Sequence, residues 1–106
     1  MAGNVATVTD ADFKAFTSQP GVVLIDFWAP WCGPCKRIGP VIEKLSTEMA
    51  SVKFGKLNTD ENQMTAAQNG VMSIPTLKIY KNGQQVDQIV GAVPEAMLVT
   101  ALKKHA

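Results

Sequence analysis

The sequence predicts an α/β fold in which a central mixed β-sheet of four to five strands is flanked by four helices. Helical and strand patterns alternate along the chain, and helices that connect strands imply parallel pairing. Residues 22–29 are almost entirely apolar and rich in β-branched and aromatic types, which is typical of a strand buried on both faces. Asn82-Gly83 lies between two strand patterns and predicts a hairpin, which adds antiparallel strands.

The chain begins with a short strand pattern and a short helical pattern. A strand is expected near residues 5–8. Capping residues at 9–12 then lead into a helix with Phe13 and Phe16 on one face, which Pro20-Gly21 ends. This helix should pack one apolar face against the sheet.

Residues 22–29 are expected to form the central strand, and a long helix is expected to follow Cys35. Pro34 suits the first turn of that helix, and apolar residues recur at helical spacing as far as Met49. Pro40 lies inside the pattern. Because a proline removes one backbone hydrogen bond and clashes with the preceding turn, a kink is expected there.

The next two elements are a weak strand and a helix. Residues 52–57 alternate as a strand, although Gly55 weakens it. Residues 58–60 can cap a helix over about 61–69, which Gly70 ends.

The last third of the chain predicts a hairpin and a final helix. Strands are expected over 76–80 and 84–90, and Pro94 starts the helix. The residues expected to face inward from it are Met97, Leu98, Ala101 and Leu102. Gaps in the core are expected to be filled by Met49, Met64 and Met97.

Composition indicates one domain over residues 1–106. The chain has 106 residues, 46% of them hydrophobic and 18% charged, which is typical of a globular protein. The formal charge is +1, and no run of like charge exceeds Lys103-Lys104, so neither nucleic acid nor a membrane surface is an expected partner. The start lacks a signal-peptide pattern, and no apolar run approaches the roughly 20 residues that span a bilayer. We therefore expect a cytoplasmic protein.

Two cysteines, Cys32 and Cys35, allow three chemistries: a structural disulfide, part of a metal site, or a redox pair. A bridge across so short a loop restrains the unfolded chain by only about 2 kcal/mol. Tetrahedral zinc requires four ligands, and the rest of the chain offers only His105 at its far end, with no second pair of cysteines. These two readings stay open but are less favoured than the redox pair.

The redox reading follows from where the cysteines lie. Cys32 falls where the central strand ends and the long helix begins, so its sulfur faces the unpaired amides of a helix N-terminus, where a thiolate is favoured. Cys35 follows at i+3 spacing, close enough to form and reopen a disulfide. We expect Cys32 to attack as nucleophile and Cys35 to resolve.

Asp26 is a carboxylate inside the apolar central strand. Burial should raise its pKa, because burial disfavours the charged form. Alternation along the strand places Asp26 on the face of Leu24 and Trp28, behind the cysteine pair, where the carboxylate could accept a proton from Cys35. The alternative is a buried ion pair, with Lys56 as its partner.

The segment around the cysteines resembles the active-site segment of thioredoxins. It reads Trp28-Ala29-Pro30-Trp31-Cys32-Gly33-Pro34-Cys35-Lys36. Further matches lie at residues 26–28, 58–62, 73–77, 81–83 and 90–92, so the resemblance covers essentially the whole chain. The chain departs from common family choices at Gly39, Gly55, Asn69 and Met72, which bears on partner preference.

The resemblance implies a thioredoxin fold and the reduction of disulfides in target proteins through Cys32 and Cys35. It implies that Lys56 tunes Asp26, and that no bound cofactor is needed. It also implies a cis bond before Pro75, whereas the residues alone favour trans, since cis occurs in about 5% of such bonds. An apolar substrate surface around an exposed sulfur is implied for Trp31, Gly33, Pro34, Ile74, Pro75, Gly91 and Ala92.

The resemblance further implies a separate thioredoxin reductase that restores the dithiol, of the NADPH-flavin or the ferredoxin type. Short sheet edges and balanced charge indicate a monomer. Two rivals remain. A disulfide-forming oxidase or isomerase usually carries a different dipeptide between the cysteines, and Gly33-Pro34 favours a reductase. A binding scaffold with incidental cysteines is the rival from another class.

Overall fold

A computed structural model describes residues 3–106 of the chain. Its elements alternate along the chain as predicted. They are β1 (Val5–Thr7), α1 (Phe13–Thr17), β2 (Val22–Trp28), α2 (Gly33–Glu48), β3 (Lys53–Asn58), α3 (Gln63–Gln68), β4 (Thr76–Lys81), β5 (Gln84–Val90) and α4 (Glu95–Lys104).

The five strands form one mixed sheet in the order β1-β3-β2-β4-β5, so β2 is the central strand as predicted. β3 pairs in parallel with β1 and β2, while β2–β4 and β4–β5 are antiparallel. The connection through α2 therefore produces the parallel pair β2–β3, and the hairpin produces the antiparallel pair β4–β5. The connection through α3 differs from the expectation, because it leads into β4, which runs antiparallel to β2. The hairpin turn has positive φ at both Asn82 (54°) and Gly83 (82°), the backbone conformation that an Asn-Gly turn adopts between twisted strands.

Helices cover both faces of the sheet. On one face, α2 contributes Ile38, Ile42 and Leu45 to a core that it shares with Leu98 and Leu102 of α4. On the other face, a second core contains Val8, Val23, Ile25, Phe27, Leu57 and Tyr80, and Phe13 and Phe16 of α1 pack against it. The prediction that these two phenylalanines share the buried face of α1 is confirmed. Among residues 3–106, no helix combines the length and apolar composition needed to cross a bilayer.

The prediction of how α3 begins was wrong. The helix starts at Gln63, later than expected, and Asn62 at its N-cap makes no side-chain bond to the helix. The Thr65 amide instead donates to Asp10 Oδ1 at 2.9 Å, and the Asp10 amide donates to Asn62 Oδ1 at 2.8 Å. A carboxylate distant in the chain therefore caps the first turn.

Two methionines expected in the core are at the surface. Met64 and Met97 are 62% and 52% exposed, because α3 turns Thr65 and Ala66 inward and α4 turns Leu98 and Leu102 inward. Met49 does pack against the core. Helix α2 runs from Gly33 to Glu48 and contains Pro40, which lies at the exposed surface of the helix.

Gly55 has a packing role that the strand pattern did not indicate. A Cβ at this position would lie 2.7 Å from Val8 Cγ2, 2.8 Å from Phe16 Cε2 and 3.1 Å from Ile25 Cδ1. The absence of a side chain at Gly55 therefore lets Phe16 of α1 and Val8, which follows β1, pack closely against β3.

We expect Gly55→Ala to lower the free energy of unfolding by about 1–3 kcal/mol, because the added methyl group overpacks this contact. Urea denaturation monitored by tryptophan fluorescence measures the change. Gly39→Ala is the matched control, since its added Cβ has no atom within 4 Å apart from its chain neighbours and the backbone of α2, and alanine favours a helix interior. Equal stability of the two variants would contradict the packing role of Gly55.

Candidate active site

The two cysteines lie where the prediction placed them, at the start of α2 just beyond the central strand. Cys32 is the N-cap residue, with extended backbone (φ −85°, ψ 114°), and its sulfur accepts a hydrogen bond from the Cys35 amide at 3.1 Å. The two residues form a disulfide with a Cα–Cα distance of 5.2 Å. The Cys32 sulfur therefore takes the capping position that a Ser or Asp oxygen occupies in other helices.

Both cysteines are almost covered, contrary to the expectation of an exposed sulfur. Cys32 is 4% exposed and Cys35 is 5% exposed. They form a small cluster with Ala29, and Trp28 and Ile74 pack against it. The carbonyl oxygen of Ile74 lies 3.7 Å from the Cys32 sulfur, so the chain on the far side of the site covers the disulfide.

Asp26 lies behind the disulfide, on the face of β2 that the alternation predicted. It is 5% exposed, and its Oδ1 has no hydrogen-bond partner among the described residues. A cavity of about 80 Å³ is bordered by Asp26, Trp28, Cys35 and Lys56, among other residues. Burial raises the pKa of Asp26 from 3.8 to about 7, and the charge of Lys56 opposes part of this rise.

Lys56 lies opposite Asp26 on the neighbouring strand. The two side chains do not form the buried ion pair that was the alternative to a proton-accepting role for Asp26. The two residues are register partners in β2 and β3. In the described part of the chain no ion pair joins them, and the Lys56 ammonium lies 5.5 Å from the centre of the Trp28 ring, within cation–π range. Lys56 therefore acts on Asp26 through its charge at a distance.

Trp31 projects from the rim of the site and has a partner that sequence reasoning missed. The side chain is 70% exposed, and its indole Nε1 donates to Asp60 Oδ2 at 2.9 Å. Residues 58–60 resembled a helix cap, and one of their side chains does form a local turn, since Asn58 Oδ1 accepts from the Asp60 amide. Asp60 thus holds the orientation of Trp31.

The opposite rim is formed by two loops. The Ile74–Pro75 bond is cis, as the family resemblance implied and the residues alone did not. The Pro75 carbonyl accepts from the Gly91 amide at 2.8 Å, and Gly91 has φ 102°, a conformation that favours glycine. Gly33 and Pro34 form the first turn of α2, next to Cys32.

A groove of about 280 Å³ continues from this rim along α2. It is lined by Arg37, Ile38, Val41, Ala92, Val93 and Pro94. Of these, only Ala92 was a predicted site residue. Among residues 3–106 there is no group of three or more His, Cys, Asp or Glu side chains arranged to hold a metal. The side chain of His105, the one histidine, lies 3.1 Å from Asp87.

A disulfide at a helix N-terminus, backed by a buried carboxyl, defines the class of dithiol-disulfide oxidoreductases. The family model described as thioredoxin matches residues 4–104. The chain belongs to the thioredoxin family, and its activity is protein-disulfide oxidoreduction.

Individual relatives agree over nearly their whole length. The chain is 51% identical to thioredoxin 1 of Synechococcus elongatus over 94% of this chain and 95% of that one. It is 52% identical to thioredoxin of Bacillus subtilis over 95% and 97%. The structure of Plasmodium falciparum thioredoxin superposes with a TM-score of 0.89 at 40% identity, over 96% of this chain and 100% of that one.

We expect Asp26 to make stability depend on pH. Because its pKa is raised to about 7 in the folded protein, the folded state binds the proton more tightly than the unfolded chain, and stability falls as pH rises from about 4 to 7. At 1.36 kcal/mol per pKa unit, the loss reaches about 4 kcal/mol. Urea denaturation of the oxidised protein at several pH values should show the unfolding free energy of Asp26→Asn rising relative to the original over this range.

The control for this series is Glu61→Gln, which removes an exposed carboxylate. It should keep the pH dependence of the original protein. A difference between Asp26→Asn and the original that does not change between pH 4 and 8 would show that Asp26 titrates normally.

Proposed function

We propose that this protein reduces disulfide bonds in other proteins by dithiol-disulfide exchange through Cys32 and Cys35. The observation that carries the proposal is the position of the Cys32 sulfur. It caps α2, accepts a hydrogen bond from the Cys35 amide and is already joined to Cys35 in a disulfide. One sulfur is thus held where a thiolate is favoured, and the second sulfur is within bonding reach.

In the first step the thiolate of Cys32 attacks one sulfur of the target disulfide. The Cys32–target disulfide bond forms, the target disulfide breaks, and the released target sulfur leaves as a thiolate that takes a proton from solvent. The hydrogen bond from the Cys35 amide supports the proposal because it stabilises negative charge on the attacking sulfur.

In the second step Cys35 resolves the mixed disulfide. Cys35 gives its proton to the Asp26 carboxylate and attacks the Cys32 sulfur, and the second target sulfur leaves as a thiolate. The target gains two electrons and the cysteine pair is oxidised to the disulfide. The cavity shared by Asp26 and Cys35 supports this role, because its volume of about 80 Å³ would admit a water molecule that relays the proton.

We propose that Lys56 adjusts the pKa of Asp26, the base in this step. Its charge lowers the pKa of Asp26, against the larger effect of burial, so that the pKa stays at about 7. A base with a pKa near the working pH is partly ionised and still accepts a proton readily. Without Lys56 the pKa of Asp26 would be higher, and a smaller fraction of the carboxyl would be ionised at neutral pH.

The surface for target proteins is proposed to surround the disulfide on both rims. The Ile74 carbonyl and the small residues at the rims leave the backbone open to an extended target segment, which would pair with it as an added strand. Exposed Trp31 supplies apolar contact area. The proposed binding residues are Trp31, Gly33, Pro34, Ile74, Pro75, Gly91 and Ala92.

The cycle requires an electron donor, and we propose a thioredoxin reductase of the NADPH-flavin or ferredoxin type. The protein would then work as a single-domain monomer in the cytoplasm, carrying electrons from the reductase to disulfide-containing targets. The midpoint potential of the cysteine pair distinguishes this role from disulfide formation. A potential below the cytosolic glutathione poise is expected, and one near that of strong disulfide oxidants would reverse the direction of electron flow.

We expect the two cysteine variants to fail at different steps. Cys35→Ser should accumulate a covalent complex between Cys32 and a target such as insulin, because the resolving thiol is gone. Cys32→Ser should form no complex, and insulin reduction by either variant should fall roughly 10³-fold or more. Non-reducing electrophoresis and mass spectrometry identify the complex. If the Cys32→Ser, Cys35→Ser double variant reduced insulin as fast as the original protein, the cysteines would be incidental. That result would favour the alternative that the protein is a binding scaffold.

We expect Asp26 and Lys56 to control the rate of target release. Asp26→Asn should slow resolution of a preformed mixed disulfide by roughly 10²-fold, since a positioned general base contributes about that much. In the original protein the rate should rise as pH increases through 7. Lys56→Met should move that midpoint upward because it removes the charge that lowers the pKa of Asp26.

Stopped-flow fluorescence measures the release rate across pH, and Lys53→Met is the control. It removes one exposed ammonium from the same strand. A Lys56→Met profile that coincides with that of Lys53→Met would contradict the tuning role.

A further inference from the structure

Lys78 is a buried lysine that the proposed mechanism does not use. It lies in β4 and is 5% exposed. Among the described residues no carboxylate forms an ion pair with it, and burial lowers its pKa. Burying an ammonium group without an opposite charge is costly unless hydrogen bonds compensate.

Two oxygen atoms accept hydrogen bonds from the Lys78 ammonium group. Its Nζ donates to the backbone carbonyl of Asn69 at 2.7 Å and to Gln85 Oε1 at 2.9 Å. Asn69 is the C-cap of α3, where the last helical carbonyls lack partners within the helix. Tyr80, on the same face of β4, donates its hydroxyl to Asn69 Oδ1 at 3.3 Å. Two side chains of one strand therefore bind the end of α3.

The chain that leaves this cap leads directly to the disulfide. Residues 70–75 connect α3 to β4, and the Ile74 carbonyl lies 3.7 Å from the Cys32 sulfur. In the middle of the segment Met72 is 94% exposed and Ser73 is exposed. This exposed middle gives the segment little support, so its position depends on the residues that flank it, where Val71 packs against the second core and Ile74 against the cysteine cluster.

Both ends of the segment are held by β4. Thr76 Oγ1 donates to the Ser73 carbonyl at the downstream end, and Lys78 binds Asn69 at the upstream end. Charge-assisted hydrogen bonds are roughly twice as strong as neutral ones, so Lys78 makes the stronger of these two attachments.

We propose that Lys78 is a positioning residue for disulfide exchange: its buried ammonium group holds the end of α3 and so fixes residues 70–75, which present the Ile74 carbonyl beside Cys32. The effect of Lys78 on catalysis rests on the function proposed above, in which protein targets pair with the backbone at Ile74. The effect of Lys78 on the position of residues 70–75 does not depend on that function.

The test compares Lys78→Met with the original protein. Methionine keeps an unbranched apolar chain and removes the donor. We expect hydrogen exchange at the Gly70 and Val71 amides, which donate to carbonyls of α3, to become about tenfold faster, as the loss of one charge-assisted bond implies. The KM for insulin should rise by a similar factor, while kcat and the rate with the small neutral substrate bis(2-hydroxyethyl) disulfide change less than about twofold.

Matched controls separate this role from a structural one. Gln85→Met removes the other acceptor of Lys78, and Lys81→Met removes a charge from the same strand. Neither should change hydrogen exchange at Gly70 and Val71 or the KM for insulin. Tyr80→Phe, which removes the second bond to Asn69, should change both in the same direction as Lys78→Met but less.

Three results would overturn the proposal. The first is a Lys78→Met variant that matches the original in exchange and KM. The second is faster exchange spread evenly over the protein, which would indicate a general loss of stability. The third is a Gln85→Met variant that reproduces the Lys78→Met effect. If the original protein does not reduce insulin, the proposed function fails, and the exchange comparison still tests the attachment.

Discussion

The hydrogen bond from the Cys35 amide to the Cys32 sulfur is the interaction on which the rest of the site depends. It exists because α2 starts directly beyond the central strand, so that a sulfur takes the N-cap position. A strand between two neighbours in the middle of the sheet fixes where that helix starts. The fold thus supplies a rigid support for one sulfur, and the helix supplies the amides that favour its negative charge.

The buried carboxyl of Asp26 and the buried ammonium of Lys78 show that strands of the sheet hold ionisable groups in fixed positions. Asp26 in β2 reaches the cavity behind the disulfide, and Lys78 in β4 reaches the end of α3 on the opposite face. Both groups carry a desolvation cost, which is seen in the raised pKa of Asp26 and the lowered pKa of Lys78. Each lies in a strand that cannot move without breaking the sheet, so each acts from a fixed position.

The covering of the disulfide bears on how targets are selected. With both cysteines at most 5% exposed, the proposed exchange requires a target to bring its own disulfide close to the Cys32 sulfur, against the rim formed by Ile74. The exposed groups around this point differ in character. Trp31 is apolar and held by Asp60, Met72 is apolar and flexible, and Arg37 carries a positive charge along the neighbouring groove.

The sequence by itself determined the features that depend on neighbouring residues: the central strand, the Asn-Gly hairpin, the helix after the cysteines and the redox pair at its start. It also indicated Asp26, because a carboxylate in an apolar strand is anomalous wherever the strand lies. Only the tertiary structure decided that Asp10 caps α3, that Asp60 holds Trp31, and that Gly55 admits Val8 and Phe16. These contacts join residues far apart in the chain. Local propensity and spacing carry no information about such contacts, because packing alone determines which distant side chains meet.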